Sequence, residues 1–332
     1  MTVSRRLFLQ SVPALAISTS PLAAEAVLHG AGASFPYPVY AAWAAQYQRA
    51  SGVQIRYEPI GSGAGIARME RGELDFGGTD VPLDDTELRR TGLVQFPAIV
   101  GGVVPVVNLG GVKPDGLRFS GAVLADIYLG RITRWNDPAL AWLNPDLDLP
   151  SSHITVVHRA DSSGTSYLWS EFLSRSSPAW RDKLGTGKKT LAWPTGVAAT
   201  GNEGVASAVQ RTRAAIGYVE FAYARQHRLS TASLQNRSGS FVQASLDSFR
   251  AALQAGDLRQ PLVDLPGAAA WPITGASFIL LRKTAGRAEL LKFFDWAFRH
   301  GQAAAVELDY LPLPASAIDL VEQLWAEQLG WT

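Results

Sequence analysis

Short apolar runs alternate with segments of helical periodicity from residue 27 onward, which is typical of an α/β protein. The run VLHGAGASF predicts a strand and a glycine-rich turn, and PYPVYAAWAAQYQRASG predicts a helix that ends at Gly52. VQIRYEPI alternates as a strand does, and after the glycine-rich turn 61–65 a short helix is predicted from Ile66 to Arg71. LDFGGTD predicts a further strand with a polar end.

The segment FPAIVGGVVPVVNL is apolar nearly throughout, as expected of a strand buried on both faces. Its Gly101-Gly102 pair predicts a change of direction or of domain. HITVVHRADSSGTSYLWSEFLS predicts strand, turn and helix, and AAIGYVEFAYARQH predicts a strand and then a helix. WPITGASFILLRK predicts a strand, and AELLKFFDWAFRHGQAAAVEL predicts one amphipathic helix. These patterns by themselves favour an α/β fold with two lobes, and lobes joined by crossing strands would fit them.

The first 26 residues have the pattern of an export signal. Arg5 and Arg6 precede the apolar run 7–17, and Ala24 and Ala26 have the Ala-x-Ala spacing of a cleavage site. The apolar run is too short to span a bilayer. The segment SRRLFL is similar to a twin-arginine signal, which favours export of a folded protein, and a general secretory signal is the alternative.

Composition narrows the possible partners. The chain has 332 residues, 47% of them hydrophobic and 18% charged, which is enough for one large domain or two ordinary ones. The net charge is +1, and removal of the signal would leave equal numbers of cations and anions, so nucleic acid and membrane surfaces are disfavoured. The chain has no cysteine and only five histidines, so we expect no disulfide, no metal site and no cofactor. A bound anion would have to be held by local geometry.

Three segments share the order strand, Gly/Ser turn, helix: GAGASFP at 30–36, GSGAG at 61–65 and DSSGTS at 161–166. In each, a hydroxyl of Ser34, Ser62, Ser163 or Thr165 could cap the helix or face a ligand. Helix N-termini attract anions, and Arg159 adds a planar, permanently charged fork. One such segment would be read as an ordinary cap, but three with an arginine predict a shared anion-binding cradle.

Other chemistries are disfavoured. The chain has no Gly-x-Ser-x-Gly elbow, and no histidine is placed to activate a serine, which argues against a Ser-His-Asp hydrolase. His158 and Arg159 should point to opposite faces of their strand. GTGKKT at 185–190 lacks the spacing of a phosphate loop and predicts a solvated loop, and Gly61-x-Gly63 lacks the third glycine of a dinucleotide fingerprint.

The segment GELDFGGTDVPLDD is rich in carboxylates. Metal coordination is possible there, but a solvated strand end and a helix cap are the favoured interpretation, with Asp80 as the residue of interest. The carboxylates are Glu73, Asp75, Asp80, Asp84 and Asp85.

An ordered set of motifs covers almost the whole chain after the signal. It comprises HGAGASFPYPVY, the Gly61-Ser62 turn, LDFGGTDVPL, QFPAIVGGVV, DIYLGRITRWNDPAL, RADSSGTS, AAIGYVEFAYA, and AWPIT followed by FILL. Together these resemble the periplasmic phosphate-binding proteins of bacterial ABC phosphate importers. The resemblance implies an α/β, two-lobed type II periplasmic binding protein fold with two crossing hinge strands, near 101–104 and 271–274. Residues 27–102 and 273–332 would form the first lobe, and residues 103–272 the second.

The resemblance also implies a set of phosphate ligands and one supporting residue. The supporting Asp161 would pair with the arginine, orient it and moderate its charge so that the anion can leave again. Ser34 stands where the family commonly has threonine, Ser162 where glycine is frequent and Gly63 where serine is frequent. These departures bear on affinity more than on the class of ligand. The implied ligands are Ser34, Phe35 through its backbone N–H, Ser62, Asp80, Arg159, Ser163, Gly164 and Thr165.

Asp80 supplies a physical reason why the ligand would be phosphate rather than sulfate. Phosphate near neutral pH keeps at least one proton and can donate a hydrogen bond to a carboxylate, whereas sulfate cannot. The implied function is a receptor without catalysis, a periplasmic monomer that delivers phosphate to the permease of the importer. The alternatives are an exported phosphatase with Ser163 or Thr165 as nucleophile, a receptor for tungstate or molybdate, and an exported scaffold or adhesin.

Overall fold

The computed structural model describes residues 27–112, 116–283 and 288–331, so the predicted export signal lies outside the described residues. The strands are β1 Val27–Gly32, β2 Gln54–Glu58, β3 Phe76–Thr79, β4 Leu93–Asn108, β5 Leu117–Phe119, β6 Thr155–Arg159, β7 Val197–Ala199, β8 Ala215–Glu220, β9 Ser230–Gln235, β10 Phe241–Val242 and β11 Thr274–Arg282. The helices are α1 Tyr37–Ser51, α2 Ser62–Arg71, α3 Asp85–Thr91, α4 Gly121–Tyr128, α5 Pro138–Leu143, α6 Gly164–Ser176, α7 Pro178–Leu184, α8 Gly201–Arg211, α9 Phe221–Gln226, α10 Leu246–Gln254, α11 Ala288–His300, α12 Gln302–Glu307 and α13 Ala315–Leu329.

The strands form one mixed sheet with the order β2-β1-β3-β11-β4-β8-β6-β7, to which β5, β9 and β10 attach through β9. β1 pairs in parallel with β2 and β3, and β6 pairs in parallel with β7 and β8. β4 pairs antiparallel with β11 and β8. In such α/β sheets ligands bind outside the carboxyl ends of the parallel strands, so we expect a ligand site near the ends of β1, β3 and β6.

Strand β4 crosses between two halves of the molecule. Its first part, as far as Gly102, pairs with β11, and its second part, from Val103, pairs with β8. The strand thus changes its partner at the predicted Gly101-Gly102 position without ending there, and a domain boundary at this point stays a prediction. A Cβ on Gly102 would lie 2.2 Å from the ring of Phe249, so the crossing requires glycine for close packing. We call β1–β3, β11 and the start of β4, with α1–α3 and α11–α13, the first lobe. The second lobe comprises β5–β10 and the end of β4, with α4–α10, and the boundary between the two lobes is called the cleft.

The second predicted crossing segment, 271–274, lies beside β4. The Ile273 carbonyl accepts the Val103 N–H at 2.8 Å, and Thr274 is opposite Gly102. The fully buried Trp271 donates from Nε1 to the Val103 carbonyl at 3.0 Å. The two crossing segments are therefore hydrogen-bonded neighbours, whereas hinge motion about them and the residue boundaries of the lobes stay predictions.

Helix α2 begins earlier than predicted, at Ser62 rather than Ile66. Gly61, with φ 93°, makes the turn alone, and the Gly65 N–H donates to the Gly61 carbonyl at 3.0 Å as the first helical hydrogen bond. A Cβ on Gly65 would lie 2.5 Å from Gly32 Cα. This glycine serves close packing against β1 rather than a turn, so the glycine-rich pattern predicts a turn that is longer than the observed one.

The single amphipathic helix predicted near the C-terminus is wrong at its middle, because the helix breaks at Gly301 between α11 and α12. The Gly301 carbonyl accepts the Trp43 Nε1–H at 2.8 Å, and a Cβ on Gly301 would lie 2.4 Å from that nitrogen. Helix α1, which carries Trp43, therefore packs into the break.

Most buried apolar side chains form one cluster that extends through both lobes, with Trp43 in the first lobe and Trp169 in the second. A smaller cluster that includes Ile66 and Met69 lies beneath α2. Among the described residues no helix is long and apolar enough to cross a membrane.

Candidate functional site

Two helix N-termini from different lobes meet at the cleft. Ser62 is the first residue of α2, and Ser163 is the N-cap of α6, where its Oγ accepts the Ser166 N–H at 3.1 Å. The Gly164 N–H donates to Ser62 Oγ at 3.2 Å, so the two termini are in direct contact. A Cβ on Gly164 would lie 2.4 Å from Asp80 Oδ2, so only glycine permits this approach. Paired N-termini bring two positive dipole ends together, which stabilises an anion.

Asp80 follows β3 directly and lies beside these termini with 2% of its surface exposed. Its Oδ1 accepts the Ser277 hydroxyl at 2.8 Å, and its Oδ2 lies 3.4 Å from Ser62 Oγ. Burial raises the pKa of Asp80 to about 7, although Ser277, Arg159 and Ser62 work in the opposite direction. A carboxyl with this pKa has a high affinity for protons, so it suits a ligand that carries one.

The Ser62 hydroxyl is fixed as a hydrogen-bond donor. Its Oγ accepts the N–H groups of Asp80 and Gly164, each at 3.2 Å. A hydroxyl oxygen has two lone pairs, so with both occupied its proton can only be donated. In this structure it is donated towards Asp80 Oδ2.

Arg159 ends β6, is 3% exposed and supplies the cation of the site. Its Nε donates to Asp161 Oδ1 at 2.8 Å, its Nη2 donates to Asp161 Oδ2, and its Nη1 donates to Thr165 Oγ1 at 3.1 Å. Burial tends to raise the pKa of Asp161, but Arg159 and the Gly201 N–H hold that pKa below its usual value. The acid beside the helix N-terminus is therefore an ionised partner that orients the arginine.

Ser34 and Phe35 lie in the turn after β1 and are both buried. The Ser34 carbonyl accepts the Tyr223 hydroxyl at 2.7 Å, and the Phe35 carbonyl accepts the Tyr310 hydroxyl at 2.6 Å. Tyr223 belongs to the second lobe, so this turn is held across the cleft. The Phe35 N–H shares a peptide unit with the Ser34 carbonyl, so the bond from Tyr223 strengthens that N–H as a donor.

Sequence reasoning missed Asn202 and Ser277. Asn202 is fully buried near the start of α8, and both its backbone N–H and its Nδ2 donate to Ser34 Oγ, at 3.1 and 3.0 Å. Ser277 is the residue of β11 that holds Asp80. The available signals were a short polar run, TGNEG, before a helix and one hydroxyl inside a mostly apolar strand. Neither signal is specific, because both patterns are common at helix starts and in buried strands.

The acidic segment behaves largely as predicted. Asp84 is the N-cap of α3 and accepts the Glu87 N–H at 2.8 Å, and Asp85 is exposed. Within 27–112, 116–283 and 288–331 no group of three or more His, Asp or Glu side chains could hold a metal ion.

The loop 185–190 is partly exposed, as predicted, but it also supports the site, because the Lys189 carbonyl accepts the Ser163 N–H at 2.9 Å. His158 turns its ring onto Trp193, with 4.9 Å between the ring centres. An open groove of about 570 Å³ beside β9 and β10 shares none of the predicted site residues.

The predicted site residues are thus brought together in one connected group, and their role as phosphate ligands stays a prediction. Direct contacts join Ser62, Asp80 and Gly164. A second chain of contacts runs from Asp161 through Arg159, Thr165 and Asn202 to Ser34. Phe35 is the next residue after Ser34, and Ser163 directly precedes Gly164.

Comparison with protein families matches residues 19–300 to a PBP superfamily domain. The chain is 47% identical over 325 residues to the phosphate-binding protein PstS of Xylella fastidiosa (strain 9a5c), an alignment that covers 94% of this chain and 89% of that protein. It is 46% identical over 325 residues to the phosphate-binding protein PstS of Haemophilus influenzae, with 95% and 97% covered.

Among solved structures, the phosphate-binding protein from Stenotrophomonas maltophilia aligns with a TM-score of 0.66 at 21% identity. The alignment covers 89% of this chain and 93% of that one. At this level of identity the likeness concerns the fold, and it agrees with the two-lobed architecture described above.

Proposed function

Because this chain belongs to the PBP superfamily and, within it, to the family of phosphate-binding proteins, we propose that it is the phosphate receptor of an ABC importer. Its lobes close on inorganic phosphate, and the closed form delivers the ion to the membrane permease. The close relatives are named as binding proteins, which supports a receptor without catalytic activity. The export signal predicted in residues 1–26 supports a periplasmic location, and we expect a monomer that does not bind nucleic acid.

The observation that carries this proposal is the contact between the N-termini of α2 and α6 beside a buried arginine. Gly164 N–H and Ser62 Oγ are 3.2 Å apart although they belong to different lobes. Nearby, Arg159 uses three of its five N–H groups on Asp161 and Thr165 among the described residues, which leaves two for an oxyanion. An anion at this position would be surrounded by donors from both lobes and would hold the lobes together.

Within this proposal each predicted residue has a defined part. The hydroxyls of Ser34, Ser163 and Thr165, the Phe35 N–H and the guanidinium of Arg159 donate to phosphate oxygens, and Asp161 orients the guanidinium. The Gly164 N–H, which donates to Ser62 Oγ in this structure, and the Ser62 hydroxyl, which lies towards Asp80, exchange these contacts for phosphate oxygens when the ion binds.

Asp80 is the acceptor in a site otherwise made of donors. In its ionised form it accepts a hydrogen bond from the proton that phosphate retains near neutral pH, and the basicity that accompanies its raised pKa of about 7 strengthens that bond. Sulfate has no such proton, so its oxygen would face the carboxylate without a hydrogen bond. An unpaired buried acceptor costs about 1–3 kcal/mol, and more when it is charged. Tungstate and molybdate are disfavoured for the same reason.

No specific observation favours a phosphatase. Ser163 Oγ caps α6 by accepting the Ser166 N–H, and the nearest histidine in sequence, His158, stacks on Trp193. A serine nucleophile needs a base within hydrogen-bond reach.

Calorimetric titration of protein stripped of bound anions by reversible unfolding tests the proposal. We expect tight binding of phosphate, binding of the protonated analogue arsenate, and much weaker binding of sulfate. Tight sulfate binding, or the absence of phosphate binding by folded protein, would contradict the assignment. Native mass spectrometry of protein purified without phosphate buffers would identify the anion carried from the cell.

A further inference from the structure

We propose that Asn202 is a positioning residue that fixes the hydroxyls of Ser34 and Thr165 as donors toward the bound anion. This inference deepens the proposed function and rests on it. The hydroxyls of Ser34 and Thr165 can only donate, and we attribute this donor-only character to the one buried amide of Asn202 in α8.

The orientation of the Asn202 amide is determined by its surroundings. Its side-chain oxygen Oδ1 accepts the backbone N–H of Glu220 at 2.9 Å. A backbone N–H can only donate, so the oxygen of the amide must face Glu220 and the NH2 group must face the cleft. Asn202 is fully buried, so this orientation has no competition from water.

The Ser34 hydroxyl receives two hydrogen bonds from this one residue. The Asn202 backbone N–H and Nδ2 lie 3.1 and 3.0 Å from Ser34 Oγ. Both lone pairs of the oxygen are therefore occupied, and the Ser34 proton is free only to be donated.

The Thr165 hydroxyl is constrained in the same way. Its Oγ1 accepts Arg159 Nη1 at 3.1 Å and Asn202 Nδ2 at 3.3 Å. One amide thus divides its two protons between Ser34 in the first lobe and Thr165 in the second. A hydroxyl held in this way is preorganised for an anion and offers no lone pair to a ligand that can only donate.

The hydrogen bonds between Asn202 and Ser34 also link lobe closure to ligand selectivity. Ser34 follows β1 and Asn202 opens α8, so the bonds between them exist only while the lobes are together. Closure therefore sets the direction of the Ser34 proton at the moment when the anion is enclosed.

A double-mutant comparison tests the inference. Phosphate affinity is measured by calorimetry for Asn202→Leu, which has a similar volume and lacks the donor, in the natural background and in a Ser34→Ala/Thr165→Val background. We expect a loss of about tenfold in the natural background, the worth of one to two hydrogen bonds. In the second background no hydroxyl remains to be oriented, so the same change should cost less than about threefold.

Equal losses in the two backgrounds would overturn the inference. The loss of the Glu220 N–H acceptor is common to both and cancels. If Asn202→Leu fails to fold, Asn202→Asp keeps that acceptor and removes the donor, and it is compared in the same two backgrounds. Glu203→Gln, an exposed change at the next position, is the control and should stay within about twofold. If the natural protein binds no phosphate, the proposed function fails; if it binds phosphate and the losses are equal, only the role of Asn202 fails.

Discussion

The Gly63 N–H donates to the Ser162 carbonyl at 3.0 Å, which joins the first turn of α2 to the chain just before α6 across the cleft. A Cβ on Gly63 would lie 2.1 Å from Ser162 Oγ and 2.5 Å from Ser162 Cβ. The family resemblance described above implies that serine is frequent at 63 and glycine at 162, the reverse of what this chain carries. The contact accounts for the pairing, because the closed cleft has room for one of the two side chains.

Lobe closure should therefore depend on the absence of a Cβ at Gly63 and not on a backbone conformation that only glycine adopts. We expect Gly63→Ala to weaken phosphate binding by about tenfold or more, since the clash involves the Cβ of Ser162 and cannot be relieved by rotating a side chain. The exchanged double variant Gly63→Ser/Ser162→Gly should recover most of the affinity. Calorimetry gives the affinity, and small-angle X-ray scattering with phosphate gives the degree of closure.

Gly110→Ala is the matched control for this series, because a Cβ there meets nothing within 4 Å. Normal affinity and closure in Gly63→Ala, or no recovery in the exchanged variant, would contradict this account of the contact.

Selectivity against sulfate should depend on Asp80. In Asp80→Asn the Ser277 hydroxyl still needs the acceptor that Oδ1 supplies at 2.8 Å, so the new NH2 group should take the place of Oδ2 and donate to the ligand. We expect sulfate to bind at least about tenfold more tightly than to the natural protein, and phosphate to bind more weakly. Asp85→Asn removes the same charge from the exposed start of α3 and serves as the control. Unchanged selectivity would show that Asp80 does not distinguish the protonated anion.

Asp80 should also make the stability of the anion-free protein depend on pH. Its pKa is raised from 3.8 to about 7, so its contribution is fully present below the unfolded value and is lost as pH rises through the folded one. The unfolding free energy of Asp80→Asn relative to the natural protein should therefore increase between about pH 4 and about pH 7, by at most about 1.4 kcal/mol per pH unit. Urea unfolding in phosphate-free buffers measures this difference, and a difference independent of pH would contradict the raised pKa.

Tyr310 should stabilise the turn that carries Phe35. Its hydroxyl lies 2.6 Å from the Phe35 carbonyl and 2.9 Å from Glu220 Oε2, and all three residues are fully buried. Tyr310→Phe leaves buried acceptors without this partner, so we expect it to lower the unfolding free energy by about 1–3 kcal/mol and to weaken phosphate binding.

Tyr128→Phe provides the contrast for that measurement. Tyr128 is equally buried, but its hydroxyl has no hydrogen-bond partner among the described residues. Its removal should be neutral or stabilising. Equal effects of the two changes on chemical denaturation would refute the role given to Tyr310.

Local sequence patterns predicted much of the fold, because the interactions concerned join residues that are close together in the sequence. Helix α1 ends at Gly52 in a left-handed residue with φ 78°, and Ser163 caps α6, both as the sequence indicates. The buried strand β4 and the strand–helix pair β8–α9 follow from apolar runs and turn residues. The ordered motifs were sufficient to indicate the family and the group of residues around Arg159.

Features that depend on distant partners were beyond sequence reasoning. At the break at Gly301 the carbonyl accepts a hydrogen bond from Trp43, 258 residues away, and the pairing of Asn202 with Ser34 spans 168 residues. Sequence patterns are enough to establish the α/β class, the family and the types of donor available to an anion. Which lone pairs are filled, which carboxyl is buried and which glycines closure needs depend on atoms brought together from both lobes, so these features become visible only in the folded molecule.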